Sequence, residues 1–446
     1  MNKKEKKISV SIVHEYAAGI DVGSKSHFVA VGQNPEDVRE FGVNTTGHQQ
    51  MIKFLKDHLI ETIAMESTGS YWQTLFSILQ DAGFKVLLVP GSQTKNGIKK
   101  TDVKDCQWIQ KLHMLDLLTG CFLPDNQTMR IRNISRHRAS LVEQAAKYTN
   151  KIQKALRLMN IRLDDSIRDV VGKTGMKIIE AILEGERDAN KLISLVDCRV
   201  KKSKEAIMLN LNGQWDEELL YELKDCVELL KTHNEKIMGC DTKIESILNE
   251  FNRGKTIAEN VSLIKKQTKG KHACSAKLSE QGYKLYGVDL MAINGIGPGV
   301  MLSILSELGL SIHKFETAKQ FCSWLRLSPN NKITGGKVIS SRTEKTKNIL
   351  SKAFKDAANA VGLSKTDDAL TRFFRKIGFK KGRGAAIKAT ARKLAMIVYK
   401  MITTKQEYQP MNNEAYQTLQ RTRKIKHLLK DIKKYNLSAF DLQLLT

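Results

Sequence analysis

Four acidic residues in three short motifs near the start of the chain are the groups best suited to chemistry. Asp21 and Glu66 each end a short apolar run, as a carboxylate does at the tip of a buried strand. Asp102 and Asp105 are three residues apart at the start of a predicted helix, so both point to one face. Four converging carboxylates repel one another. Two divalent cations, Mg²⁺ or Mn²⁺, would offset that repulsion and activate a phosphodiester.

A plainer interpretation of each acid also exists. Asp102 could simply cap a helix, and Glu66 could be an ordinary surface acid. The whole set, in this order along the chain, favours the catalytic interpretation.

The overall charge of the chain indicates a nucleic-acid partner. The 446 residues include 73 Lys plus Arg and 47 Asp plus Glu. The resulting net charge of +26 predicts salt-dependent binding to a polyanion. The sequence shows no apolar run long enough to span a bilayer and no signal peptide, so we expect a cytoplasmic, nucleoid-associated protein without a membrane partner. The cysteines are widely spaced, which predicts reduced thiols rather than disulfides or a zinc site.

Alternating strands and helices are predicted from about residue 16 to 125. Three strands are expected at 17–21, 27–31 and 38–43, then a helix at 47–58 and a strand at 62–66. A helix at 71–82, a strand at 85–90 and a helix from 102 to about 118 complete the series. Antiparallel strands followed by parallel strands with crossover helices are the order of a ribonuclease H-like domain.

The middle of the chain predicts long amphipathic helices. Between about 128 and 260, apolar residues recur at helical spacing, which indicates a coiled coil or a helical hairpin with a polar break near Asn212 and Gly213. These helices could be a spacer, a dimer contact or a nucleic-acid clamp. The basic stretch at 265–271 is expected to be a linker.

Two glycine-rich segments in the last third are candidate nucleic-acid contacts. Gly295 and Gly297 stand in an Ile-x-Gly-Ile-Gly turn, the signature of a helix-hairpin-helix, where backbone N–H groups approach a phosphate; packing is the alternative reason for such glycines. Farther on, Thr334, Gly335, Gly336 and Lys337 form a loop whose hydroxyl could attack a phosphate or only donate a hydrogen bond to it. Basic helices follow, and a Lys-rich amphipathic helix at 421–434 is expected to be a nucleic-acid-binding or solvated tail.

Together these motifs resemble the DEDD transposases (recombinases) of the insertion sequence 110 family, including its insertion sequence 1111 branch. The resemblance covers nearly the full length. The first part looks like their RuvC-like domain, with Gly-Ile-Asp21, Glu66-Ser-Thr-Gly and Lys-Thr-Asp102-Val-Lys-Asp105 in the family order. The last part looks like their second transposase domain, with the Ile-x-Gly-Ile-Gly turn, Leu327-Ser-Pro and the Gly-Gly-Lys loop.

The resemblance implies an RNA-guided, site-specific DNA recombinase. It implies that Asp21, Glu66, Asp102 and Asp105 hold divalent metal, and that a serine of the second domain becomes transiently linked to DNA. It further implies a guide RNA from the element that pairs with target and donor DNA, and assembly as dimers and tetramers. Such a protein would recognise RNA by shape, backbone and 2′-hydroxyls.

One position departs from the family pattern. Alignment on Leu-x-Pro and the following glycines places the family's serine at Thr334. Threonine has a hydroxyl of similar acidity, but its methyl group crowds in-line attack. We take Thr334 as the candidate nucleophile, with Ser340 and Ser341 as the alternatives.

The predicted architecture is therefore α/β followed by all-α. The expected domains are a RuvC-like catalytic domain at 1–125, a long-helix or coiled-coil region at 126–285, a mainly helical transposase domain at 286–410 and a basic helical tail at 411–446. Two rival functions remain: a metal-dependent, junction-resolving endonuclease that uses water, and a non-catalytic nucleic-acid-binding protein derived from a transposase.

Overall fold

A computed structural model of the chain describes residues 11–95, 101–257, 261, 272–410 and 413–435. Internal contacts divide the chain into two units, residues 1–123 and 124–446. The linker expected at 265–271 lies outside the described residues.

The first unit is built on a five-stranded mixed sheet in the order β3-β2-β1-β4-β5. Strands β1, β2 and β3 pair antiparallel, whereas β4 pairs parallel with both β1 and β5. Their bounds are Ala17–Val22 for β1, Ser26–Ala30 for β2, Val38–Gly42 for β3, Thr62–Glu66 for β4 and Lys85–Val89 for β5. The predicted order of antiparallel then parallel strands is confirmed, and it is consistent with a RuvC-like fold.

Helices cover both faces of this sheet. They are α1 (Thr45–Asp57), α2 (Trp72–Asp81) and α3 (Asp102–Met114). Because side chains alternate along a strand, Ala18, Ile20 and Val22 of β1 enter one apolar core with the buried residues of α1 and α2. The opposite face of the sheet receives α3, where Ala64 and Ile109 belong to a smaller core.

Helix α3 lies directly on the backbone of β1. A Cβ atom on Gly19 would stand 2.2 Å from the Gln110 nitrogen and 2.4 Å from the Cys106 carbonyl oxygen. The Gln110 side chain also donates a hydrogen bond of 3.1 Å to the Ala17 carbonyl oxygen. Gly19 is therefore required by close approach, because any side chain there would push the helix off the strand.

The second unit begins with two long helices that pack against each other in antiparallel directions. Arg130 near the start of α4 (Asn126–Leu158) donates to Glu250 near the end of α9 (Glu217–Phe251) at 2.9 Å. Farther along the two helices, the side-chain oxygen of Gln144 on α4 lies 2.7 Å from Nε2 of His233 on α9. Of the two predicted arrangements, the structure shows the helical hairpin within one chain, with a break before α9 at the expected place. Four short helices lie between the long ones, namely α5 (Leu163–Ser166), α6 (Lys173–Leu183), α7 (Ala189–Ser194) and α8 (Lys204–Leu211).

The remainder of this unit is mainly helical, as predicted. Its elements are α10 (Leu278–Tyr286), α11 (Pro298–Glu307), α12 (Ala318–Trp324), the strands β6 (Lys332–Thr334) and β7 (Lys337–Ser340), α13 (Ile349–Leu363), α14 (Ala369–Lys381), α15 (Arg383–Thr404) and α16 (Asn413–Tyr435). The pair β6–β7 is an antiparallel hairpin. Among the described residues, no helix is both long and apolar enough to cross a bilayer.

Replacing Gly19 with alanine should destabilise the first unit. The added methyl group collides with backbone atoms of α3, which cannot rotate away as a side chain could. We expect a loss of unfolding free energy of about 1–3 kcal/mol, the usual effect of overpacking, measured by urea denaturation.

Gly239→Ala is the matched control, because a Cβ atom there meets nothing within 4 Å and the residue lies inside α9. It should be neutral or stabilising by roughly 0.5–1 kcal/mol. Equal unfolding free energies for Gly19→Ala and the wild type would contradict the packing argument.

Candidate active site

Asp21 and Glu66 stand side by side at the same end of two neighbouring parallel strands. The last pairs in the register of β1 and β4 join Ile20 to Met65, so the two acids that follow are adjacent. Both lie on the face that carries α3, because Asp21 shares its side of the strand with Gly19, and Glu66 shares its side with Ala64. Both carboxylates are half-buried.

The start of α3 brings the other two acids to this end of the sheet. The contacts of Gly19 with Cys106 and Gln110 show that the helix runs past β1 in the opposite direction. The first turn of α3, with Asp102 and Asp105, therefore lies beside the end of β1 that carries Asp21. Thr101 caps this helix by accepting a hydrogen bond of 3.3 Å from the Lys104 N–H, so Asp102 is the first helical residue rather than the cap.

The four acids share one electrostatic environment. Burial is the largest cause that raises the pKa of Asp21, followed by repulsion from Glu66, Asp102 and Asp105, and together they raise it from 3.8 to about 6. The effect of three separate acids on one carboxyl group is what convergence of the motifs would produce. The structure thus places Glu66, Asp102 and Asp105 within electrostatic reach of Asp21, and these are the four residues that the sequence singled out in this unit.

Three neighbours surround the carboxylate of Glu66, two of them as hydrogen-bond donors, and sequence reasoning did not identify any of them as site residues. The hydroxyls of Thr68 and Thr94 donate to its two oxygens at 3.0 and 2.6 Å. A Cβ atom on Gly91 would stand 2.5 Å from one of these oxygens, so glycine is needed to leave room for the carboxylate. Thr68 lies within the Glu-Ser-Thr-Gly motif and could have been found from it, whereas Thr94 and Gly91 carry no local signal.

The four carboxylates are suitable ligands for a hard divalent cation, although their side chains are farther apart than metal ligands are. Carboxylate oxygens are the ligands that Mg²⁺ and Mn²⁺ prefer, and the mutual repulsion at Asp21 is what a cation would relieve. Within the ranges that the structure describes, no three His, Cys, Asp or Glu side chains stand close enough together to form a metal-binding group. The acids are therefore near neighbours that would have to draw together on a metal.

Thr334 lies in the second unit, at the tip of the exposed β6–β7 hairpin. It ends β6 and pairs across the turn with Lys337, so the two side chains share one face. Gly335 and Gly336 form the turn with φ of 54° and 73°, the two positive values that a type I′ turn requires. The hydroxyl of Thr334 is thus presented to solvent on a tight turn that glycine makes possible.

The alternative hydroxyls are placed differently. Ser340 is half-buried near the base of the hairpin, where its oxygen accepts a hydrogen bond of 3.4 Å from the Arg342 N–H. Ser341 follows β7 and is exposed. Of the three candidate nucleophiles, Thr334 is the one nearest to the tip.

The two glycines before α11 have different surroundings. A Cβ atom on Gly295 would stand 2.5 Å from the Ala357 carbonyl oxygen of α13, and its φ is 88°, so this glycine serves packing and turn geometry. Gly297 directly precedes α11, and a Cβ atom there would meet nothing within 4 Å. The structure thus gives Gly295 a packing role and leaves open space beside Gly297, and contact of either glycine with a phosphate stays a prediction.

The RuvC-like sheet, with four acidic residues near one end of it, defines a nucleic-acid-processing enzyme. Residues 18–161 match the family model "DEDD_Tnp_IS110: Transposase", and residues 289–374 match "Transposase IS116/IS110/IS902 family". Both matches support a relationship of this chain to the IS110 family of transposases. The two matched stretches are separate and together cover just over half of the chain. The first stretch contains the four acids and the second contains the β6–β7 hairpin. Comparison with curated proteins gives no match.

Removing the charge of Asp21 should stabilise the protein, and the gain should depend on pH. Its carboxyl group has a pKa near 3.8 in the unfolded chain and about 6 in the folded one. The folded state therefore binds this proton more tightly than the unfolded state does. The unfolding free energy of the wild type falls as pH rises from 3.8 through 6, because the carboxyl group of Asp21 becomes charged in the folded state. Asp21→Asn should unfold at a higher temperature than the wild type at neutral pH, and this difference should vanish below pH 3.8.

The measurement is thermal unfolding across this pH range with a chelator present. Because Asp21 is partly exposed, solvent screening limits the gain to about 1 kcal/mol, or a few degrees. Glu61→Gln removes one exposed charge just before β4, at the opposite end of that strand from Glu66, and should show no comparable gain. A difference for Asp21→Asn that is independent of pH would contradict the electrostatic account.

Proposed function

We propose that the protein is a site-specific DNA recombinase that excises and inserts an insertion sequence. The observation that carries the proposal is the gathering of Asp21, Glu66, Asp102 and Asp105 at one end of a RuvC-like sheet. The second part of the proposal is that Thr334 supplies the hydroxyl for a transient protein–DNA link. Its exposure at the tip of a glycine turn supports this role.

The four carboxylates would hold Mg²⁺ or Mn²⁺, which when bound supplies Lewis-acid polarisation of the scissile phosphate. The residues of this chain position that site. Thr68 and Thr94 hold the Glu66 carboxylate in one orientation, and Gly91 leaves space beside it.

In the proposed strand cleavage, the hydroxyl oxygen of Thr334 attacks the phosphorus. A new phosphoester bond to the protein forms, the bond to the 3′-oxygen breaks, and the hydroxyl proton is transferred to the departing 3′-oxygen or to solvent. Rejoining reverses the step with a new 3′-hydroxyl, so one phosphoester replaces another and no nucleotide cofactor is required. The Lys337 ammonium, on the same face of the hairpin, is suited to contact the phosphate.

We further propose that an RNA encoded by the element guides the choice of DNA sequence and that the protein acts as a dimer or tetramer. The net charge of +26 supports binding of more than one polyanionic strand. The match to transposases of insertion sequences supports the further proposal of a bacterial or archaeal protein that works at the nucleoid in the cytoplasm.

A junction-resolving nuclease is the second candidate function. The four acids lie entirely in the first unit, so they could act with water as the nucleophile and without Thr334. Covalent attachment of the protein to DNA separates the two candidates.

Wild-type protein should become covalently linked to DNA through Thr334. We would incubate it with element-end DNA, the flanking RNA and Mg²⁺, denature it, digest both polymers and map the phosphonucleotide-bearing peptide by mass spectrometry. Thr334→Ala should give no adduct on that peptide, whereas Thr334→Ser should retain it because a primary hydroxyl is less hindered.

Ser340→Ala and Ser341→Ala are the matched controls, and both should form the adduct. An adduct on either serine would keep the mechanism and move the nucleophile. Cleavage without an adduct in both the wild type and Thr334→Ser would favour the junction-resolving nuclease.

Divalent metal should stabilise the protein through the acidic cluster. At a concentration ten times the dissociation constant, Mg²⁺ or Mn²⁺ should add about 1.4 kcal/mol to the unfolding free energy. Thermal unfolding with and without metal measures the effect independently of activity. Asp21→Asn and Asp102→Asn should lose most of this stabilisation, and Glu61→Gln should keep it. Equal stabilisation of all four proteins would show that the metal binds elsewhere.

A further inference from the structure

The side chain of Phe379 is 95% exposed, more than any other large hydrophobic residue that the structure describes. It lies in the last turn of α14. A phenyl ring held in water gains nothing from the hydrophobic effect, so covering it with a partner would be favourable.

The helical position of Phe379 keeps it away from the core. The buried residues of α14 are Leu370, Thr371 and Phe374, and five residues beyond Phe374 is about 140° around the helix. Gly378, one position earlier, faces α15, since a Cβ atom there would lie 3.8 Å from the Cβ of Ala386. The ring of Phe379 therefore points outward at the corner between the two helices.

This corner carries charge of one sign. Residues 369–405 contain eleven Lys or Arg and no Asp or Glu. Lys380, Lys381 and Arg383 flank the ring and are exposed. Such a surface repels a basic partner and attracts a polyanion. We therefore expect the partner that covers the ring of Phe379 to be a polyanion.

The corner is also fixed in shape. Gly382 joins α14 to α15 with φ of 80°, a conformation that side chains other than glycine rarely adopt. The Arg383 guanidinium donates to the Asn359 side chain at 2.7 Å, which anchors the corner to α13. By contrast, the ring of Phe373 on the same helix is covered by the Lys393 ammonium at 4.8 Å. Phe379 is thus held in place while its ring stays open to a partner.

We propose that Phe379 stacks on an unpaired base of a DNA strand whose phosphates contact Lys380, Lys381 and Arg383. Cations that follow the backbone and an aromatic ring that receives a base are the two parts of a single-strand binding surface. In duplex DNA the bases are stacked on one another, so the ring of Phe379 could not stack on a base. The preferred strand is therefore single or locally opened. DNA rather than RNA is the occupant because the inference rests on the proposed recombinase function, in which cleaved DNA strands leave their partners.

The test is direct binding of full-length protein to a single-stranded DNA oligonucleotide that contains 2-aminopurine. Stacking on the ring should change the fluorescence of the probe base. Phe379→Ala should lose this change and bind the single strand about tenfold more weakly. Its affinity for a duplex of the same sequence should stay within twofold of the wild type, and its salt slope should not change because no charge is removed. Phe379→Trp should restore the signal and the affinity.

Tyr221→Ala is the matched control. Tyr221 is also an exposed aromatic residue, but its neighbours on α9 include Glu217, Glu218 and Glu222. This variant should bind single strands as the wild type does. Unaltered single-strand affinity in Phe379→Ala, or an equal loss for duplex, would overturn the proposal. A larger loss for RNA of the same sequence than for DNA would also overturn it, because the base would then belong to RNA.

The result is separable from that of the proposed function. Should Phe379→Ala bind single strands like the wild type while the Thr334 adduct still forms, the stacking site fails and the recombinase stands. Should the wild type show stacking but form no adduct, the stacking site stands and the recombinase mechanism fails.

Discussion

The contact between α3 and the backbone of Gly19 decides where the two acids of α3 lie beside the sheet of the first unit. Helix and strand pass so closely that no side chain fits between them, and this fixes how far α3 lies along β1. The first turn of α3 then falls beside the end of β1, which places Asp102 and Asp105 within electrostatic reach of Asp21. A helix held only by interlocking side chains could slide by a fraction of a turn. Backbone contact removes that freedom and therefore sets the arrangement of the four acids.

Buried charge has a comparable role in the second unit. The Glu307 carboxylate at the end of α11 is almost fully buried and meets Arg132 and Arg136 of α4 at 3.2 and 2.9 Å. Arg138 of the same helix pairs with buried Asp241 of α9. Such pairs add little net stability, but any shift that separates them leaves a charge without a partner in a poorly solvated place. They therefore favour one register of α4 with α9 and one position of α11.

The sequence predicted the elements of the first unit well because apolar runs that end in acids or at turn residues are local signals. Asp21 and Glu66 marked strand ends, and Asp102 marked a helix start. Contacts between distant residues were not predictable in this way. Thr94 reaches Glu66 across 28 positions, and the role of Gly295 depends on α13. Periodicity likewise revealed two long amphipathic helices without showing that each packs against the other in one chain, since a coiled-coil partner would produce the same pattern.

A protein with a net charge of +26 that concentrates four carboxylates at one place meets opposing demands from a DNA substrate. The basic surface raises the local concentration of DNA without selecting any phosphate. The carboxylates repel phosphate, and repulsion of Asp21 by the other three acids adds to burial in raising the pKa of Asp21. Cations bound among these acids would make the local electrostatic potential positive, so that a phosphate next to them would be attracted. Under the proposed function, long-range attraction and local repulsion together favour a site that accepts a phosphate only after metal has bound among the acids.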